Sequence, residues 1–207
     1  MLEQNDKGST SRGRLLAVVA VALVVAFGAV IGAAMFLRDG PGQSSAASPG
    51  GDSVEEYRAG DRRPVGSIRG GLLDGGTFSS AEVSGVVVYN VWGSWCAPCR
   101  TEAPVLRRLS TEFATSGVRF IGINVRDNDQ AARAFERTYD IAYPSITTAS
   151  APDALLAFGS AFPPRAVPST FVVDAEGRLA ARILGPAKYS TLKALVTRTL
   201  EASGPTS

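Results

Sequence analysis

The chain has 207 residues, 45% of them hydrophobic, with 21 Lys+Arg against 19 Asp+Glu; this allows one ordinary domain plus extensions and gives no basic field for nucleic-acid binding. The absence of His removes Ser-His-Asp and Cys-His catalysis, His-ligated haem and the common zinc sites, each of which needs an imidazole. The two Cys are too few for a four-thiolate metal cage or a disulfide framework, and leave one dithiol.

Residues 1–14 carry Lys7, Arg12 and Arg14 and precede an apolar run, Leu15 to Leu37, of 23 residues. As a helix this run would reach roughly 35 Å, against about 30 Å of hydrocarbon core, so it is long enough to span a bilayer. The apolar region of a cleavable signal peptide is normally about 7–15 residues, although the small residues Ser44 to Ala47 leave cleavage open. Only Arg38 is basic just after the run, so the positive-inside rule predicts a cytoplasmic N-terminus (1–14), a transmembrane anchor (15–37) and everything beyond it outside the cytoplasm. Residues 38–60, opening Asp39-Gly40-Pro41-Gly42 and dense in Gly, Ser, Ala and Pro, predict a flexible linker.

A single α/β domain is predicted over 61–202, followed by a short tail, 203–207. Val86 to Trp92 is mostly β-branched and aromatic, as expected of a central strand buried on both faces. The first helical pattern follows it: Ala103, Leu106, Leu109 and Phe113 recur at helical spacing, with Pro104 placed to kink the helix. Val118 to Val125 predicts a second strand. Asp127 or Asn128 is placed to cap the next helix, whose apolar positions are Ala131, Phe135 and Tyr139. A short helix is predicted over Ala154 to Phe158. Thr170 to Asp174 and Arg178 to Leu184 flank the turn signal Asp174-Ala175-Glu176-Gly177, which reads as an antiparallel hairpin and makes the sheet mixed. Leu192, Leu195, Val196 and Leu200 mark a closing helix, completing a three-layer pattern.

The segment Trp92-Gly93-Ser94-Trp95-Cys96-Ala97-Pro98-Cys99-Arg100 places a Cys-x-x-Cys where a buried strand gives way to a helix. As a structural bridge it would close a loop of about four residues and contribute only about 2 kcal/mol. As half of a zinc site it lacks its other ligands, and Arg100 stands where a c-type haem attachment site needs a His. The redox reading has a mechanism: free backbone N–H groups and the positive end of the helix dipole favour a thiolate on Cys96. Cys96 would attack a substrate disulfide, and Cys99 would resolve the mixed disulfide. Two unreactive buried thiols are the bland alternative.

Trp95-Cys96-Ala97-Pro98-Cys99-Arg100, with Pro104 after it and Val167-Pro168-Ser169-Thr170 before a late strand, resembles the thioredoxin superfamily. Within it, the anchor, the linker, the approach Asn90-Val91-Trp92-Gly93-Ser94-Trp95 and an extra segment after the second strand resemble the TlpA/ResA-like branch. The resemblance covers roughly residues 61–202. It implies a thioredoxin-like α/β fold with a central mixed sheet, a cis Pro168 facing the dithiol, a Val167 backbone available to an extended substrate, and Trp95 lining the groove beside Cys96. Trp95 also suits a partly buried aromatic packed on its loop. The buried carboxylate of cytoplasmic thioredoxins would fall at Asn90, which cannot ionise. Glu102, one helical turn after Cys99, matches a glutamate of the ResA-like proteins and is a candidate for tuning the Cys pair and its proton transfer; a solvated helix Glu is the alternative.

By the same resemblance the chain is a membrane-anchored thiol:disulfide oxidoreductase needing no cofactor beyond its own Cys96–Cys99 disulfide. Its expected direction is reduction of protein disulfides, with apocytochrome c cysteines as substrates and a membrane thiol transporter as electron donor. The tether would raise its effective concentration toward membrane-bound partners. An oxidase for exported proteins, or a tethered binding module with incidental thiols, remains open, and the oligomeric state is not indicated.

Overall fold

The computed structural model describes residues 53–161 and 166–204. The predicted anchor 15–37, most of the predicted linker and the last three residues of the tail lie outside the described residues. Among the described residues no helix is long and apolar enough to cross a membrane.

In chain order the elements are β1 (Ser53–Glu56), β2 (Arg69–Gly71), β3 (Thr77–Ser79), β4 (Val86–Trp92), α1 (Ala97–Glu112), β5 (Val118–Asn124), α2 (Asp129–Thr138), β6 (Ser145–Ile146), α3 (Ala151–Leu156), β7 (Ser169–Val173), β8 (Leu179–Leu184) and α4 (Tyr189–Ser203). Six strands form one sheet in the order β1-β8-β7-β4-β5-β6, and β2 pairs with β3 in a separate hairpin. β4, β5 and β6 run parallel. β7 is antiparallel to both β4 and β8, so the sheet is mixed as expected.

All seven residues of β4 are buried, and the period of two sorts them between two layers. Val86 and Val88 pack with Leu106 and Leu109 of α1 and with Leu192, Leu195 and Val196 of α4. Trp92, on the same face, stacks on Phe135 of α2 at 4.6 Å. Val87, Tyr89 and Val91 face Phe78 of β3, Ala151 and Ala154 of α3, and Phe158. The thioredoxin-like three-layer arrangement follows, with α1, α2 and α4 on one side and the hairpin and α3 on the other. Because β4 ends at Trp92, its C-terminal end delivers the Cys-x-x-Cys to the sheet margin, where the turn into α1 begins.

Several expectations change. Ser53–Glu56, inside the stretch expected to be a flexible linker, is an edge strand paired with β8. Ion pairs fix it there: Arg182 donates to both carboxylate oxygens of Glu55 at 2.7 and 3.0 Å, and Arg198 to both of Glu56 at 2.8 Å. The short helix occupies Ala151–Leu156 rather than Ala154 to Phe158. The first helical pattern is α1, which spans Pro104 and continues to Glu112, with Ala103, Leu106 and Leu109 buried on either side of the proline. The predicted hairpin forms around Asp174, whose carboxylate accepts from the backbone N–H of Glu176 at 3.1 Å and of Arg178 at 2.8 Å, with Gly177 at φ 75° closing the turn.

Candidate active site

Cys96 is the N-cap of α1, in extended backbone, and its Sγ accepts the N–H of Cys99 at 3.2 Å. A sulfur in that place occupies the position of an ordinary capping oxygen and meets a free donor at the positive end of a 16-residue helix. Pro98 fits the first turn, where a missing N–H costs nothing. The two sulfurs are joined in a disulfide, with the Cα atoms 5.3 Å apart. Both cysteines are buried in an apolar cluster with Leu73, Trp92, Ala103, Ala132 and Phe135, and Val167 packs against it.

The turn before Cys96 is fastened to the loop after β5. Val125 donates its N–H to the carbonyl of Trp92 at 2.9 Å, and Trp95 donates its indole N–H to the carbonyl of Val125 at 3.1 Å. The Trp95 side of the turn faces solvent at 46% exposure, with the Arg126 guanidinium 4.7 Å above its ring. The folded-back indole needs Gly93: a Cβ there would lie 2.5 Å from the Trp95 Nε1. Trp95 is thus both packed on its loop and open to solvent.

The Val167–Pro168 peptide bond is cis, as the resemblance implies. Pro168 is buried, its carbonyl accepts the N–H of Gly185 at 2.9 Å, and Val167 reaches the dithiol cluster. Val167 also lines a groove of about 340 Å³ with Val125, Arg126, Thr148 and, from α3, Ala151 and Leu155.

Glu102 is not a solvated helix residue: it is 1% exposed. Its Oε1 accepts from the Asn90 side-chain amide at 2.8 Å, and its Oε2 from the N–H of Ala187 at 2.8 Å. Asn90 also donates to Thr170 Oγ1 at 3.2 Å. Burial pushes the Glu102 carboxyl up to about 7, against the lowering influence of the Ala187 and Asn90 hydrogen bonds. The position where cytoplasmic thioredoxins carry their acid holds an amide here, and that amide grips a carboxyl supplied from α1.

Cys96, Cys99 and Val167 therefore converge in one cluster, with Trp95 and Pro168 adjoining it in the chain, and Glu102 lies one helical turn deeper than Cys99. Nothing in the local sequence assigns Arg126 or Asp127 a role at the dithiol. Asn128 caps α2, accepting from Ala131 at 2.9 Å, while Asp127 turns to the other loop and accepts from Ser94 through N–H and hydroxyl at 2.6 and 2.8 Å. No local motif marks this: Asp127 and Ser94 are 33 positions apart and meet only because β4 and β5 are parallel neighbours. Among the described residues no group of three or more His, Cys, Asp and Glu is placed to hold a metal.

Comparison with known proteins agrees with this geometry. The curated relatives include the thiol-disulfide oxidoreductase ResA of Bacillus cereus, 26% identical over 55% of this chain and 63% of its own length. Another is the thiol:disulfide interchange protein HelX of Rhodobacter capsulatus, 36% identical over 49% of this chain and 53% of its own. The chain thus spans between half and two thirds of the length of these relatives. Among solved structures, a DsbF homologue from Corynebacterium diphtheriae superposes with a TM-score of 0.66 at 35% identity, covering 73% of this chain and 96% of its own. The Redoxin family model matches residues 58–196, which takes in β2 to β8, the whole dithiol site and most of α4, and the chain belongs to the Redoxin family.

Proposed function

We propose that the domain is a thiol:disulfide oxidoreductase that works mainly as a reductase of protein disulfides outside the cytoplasmic membrane. The observation that carries this is the Cys96 sulfur at the N-cap of α1, hydrogen-bonded by the Cys99 N–H and bonded to the Cys99 sulfur. In the reduced protein the same donor and the helix dipole would favour a Cys96 thiolate. That thiolate attacks one sulfur of a substrate disulfide; the Cys96–substrate bond forms, the substrate S–S bond breaks, and the other substrate sulfur leaves as a thiolate. Cys99 then gives up its proton and attacks Cys96 Sγ, releasing the second substrate sulfur. Two electrons pass to the substrate, whose two sulfurs end with one proton from Cys99 and one from solvent, and the protein is left as the disulfide described here. Glu102, ionising near neutral pH, is the group proposed to take the Cys99 proton.

Trp95, Val167 and the cis Pro168 are proposed to form the substrate groove, with the Val167 backbone pairing to an extended segment. The apolar run 15–37 supports anchorage in the membrane with the domain outside. The likeness to ResA and HelX favours apocytochrome c cysteines as substrates, in cytochrome c maturation, and a membrane thiol transporter as the source of electrons.

A Cys99→Ser variant expressed in the native host tests the assignment by holding substrates on Cys96 as mixed disulfides. Apocytochromes among them are expected, whereas a varied set of secreted proteins would make the protein an oxidase. The potential gives a second readout: a value near thioredoxin's roughly −270 mV is expected, and one near DsbA's roughly −120 mV would reverse the direction.

A further inference from the structure

We propose that Asp127 is a positioning residue for the dithiol: its carboxylate clasps the turn that carries Cys96 and, as an anion beside that turn, holds the Cys96/Cys99 pair toward more reducing potentials. This rests on the thiol:disulfide reading and deepens it.

Four donors converge on the Asp127 carboxylate. The N–H and hydroxyl of Ser94 reach its two oxygens at 2.6 and 2.8 Å, and the Asn124 side-chain amide and the Asn128 N–H follow, each at 3.0 Å. Only a carboxylate accepts at both oxygens; an Asn would turn a donor toward one of these donors. Partial burial works against the charge, but the hydrogen bonds outweigh it and hold the carboxyl below its usual range, so Asp127 is an anion wherever the dithiol is active. The preceding residue, Arg126, takes a left-handed backbone at φ 50°, uncommon for a side chain of that kind. Arg100 grips the same turn from its other side, donating to the carbonyl of Ser94 at 3.0 Å. Ser94, two residues before the attacking sulfur, is thus held between a guanidinium and a carboxylate.

Other charged residues lie on the elements that carry the dithiol cluster. α1 supplies Arg100 and the deeper Glu102; the β5–α2 loop and α2 supply Arg126, Asp127, Asp129 and Arg133; Asp74 follows Leu73 of the dithiol cluster. Among the described residues, Asp127 is the anion hydrogen-bonded into the Cys96 turn. Against two glutathione thiols, the Cys96–Cys99 bond breaks, one glutathione disulfide forms, two electrons and one proton pass to the cysteine sulfurs, and the second proton goes to solvent. The reduced side carries the Cys96 thiolate, which a neighbouring anion disfavours. Removing that charge stabilises the dithiol and raises the potential. Ser94→Ala acts oppositely, because it removes a donor and leaves the Asp127 charge less compensated. A purely mechanical clasp would instead loosen in both variants and shift the pair in one direction.

The test is the glutathione equilibrium of the full-length chain in detergent, with the pH profile of Cys96 alkylation measured in parallel. Asp127→Asn is expected to shift the equilibrium toward the dithiol about fivefold, roughly 20 mV at about 30 mV per tenfold, and to move the alkylation profile to lower pH. Ser94→Ala should shift the equilibrium the other way by a smaller factor. No shift in Asp127→Asn, or a shift of the same sign in both variants, overturns the proposal. Should Asp127→Asn not fold, the sign in Ser94→Ala decides. Exchange by the wild type that is lost in Cys96→Ser reports on the oxidoreductase reading itself, so a failure of that reading is distinguishable from a failure of the role of Asp127.

Discussion

Replacing Glu102 by Gln separates a buried acid from an exposed one. The unfolded carboxyl releases its proton near the ordinary glutamate value of 4.5, whereas the folded one holds it until about 7. Between those values the folded state binds the extra proton, so stability falls as pH rises; below 4.5 the contribution is complete, and above 7 it is lost. At about 1.4 kcal/mol per pKa unit, the loss is about 3 kcal/mol, the right order for a carboxyl that is 1% exposed. Glu102→Gln cannot ionise and so lacks this pH dependence. Its amide meets Asn90 and Ala187, both donors to Glu102. Asn90 can turn its own amide over, since the Thr170 hydroxyl is able to donate to it, and whatever mismatch is left adds a constant offset. Urea unfolding of the oxidised wild type and variant at several values from about pH 4 to pH 8 is the assay. The wild type should lose about 3 kcal/mol relative to Glu102→Gln across that range, with all other carboxylates cancelling. Two curves that stay parallel to within about 0.5 kcal/mol would refute the claim that burial raises this carboxyl.

Asp174→Ala should destabilise the domain by about 3–5 kcal/mol in urea unfolding, because it leaves the largely buried Arg62 without its carboxylate at 3.2 Å and removes the acceptor of the β7–β8 turn. In Gly93→Ala the added Cβ displaces the Trp95 indole; the loss of its hydrogen bond to Val125 should cost about 1 kcal/mol and alter the tryptophan fluorescence, and an unchanged spectrum would show the turn yielding instead. Asn128→Ala removes the α2 cap to Ala131 and should lower unfolding free energy by about 1 kcal/mol.

The local pattern of the chain determined most of its elements and the chemistry of its site. Val86 to Trp92 reads as a buried strand because nearly every side chain is apolar, and the Asp174 to Gly177 turn carries its own stereochemistry. A Cys-x-x-Cys at a strand-to-helix junction, in a chain without His, leaves thiol chemistry as the available reaction. What the tertiary structure decided are contacts whose partners are far apart in sequence. β1 is Ser-Val-Glu-Glu, with too little apolar alternation to announce a strand, and it forms because Arg182 and Arg198 wait 127 and 142 residues away. Glu102 has helical spacing from Cys99 but no sequence mark of burial; only the packing of α1 over β4 and the loop before α4 sets it between Asn90 and Ala187. Asp127 and Ser94 meet because parallel pairing brings two strand ends side by side. Hydrophobic periodicity and turn chemistry are properties of a few consecutive residues, whereas a buried charge or a clasp between loops exists only after distant segments have closed on one another.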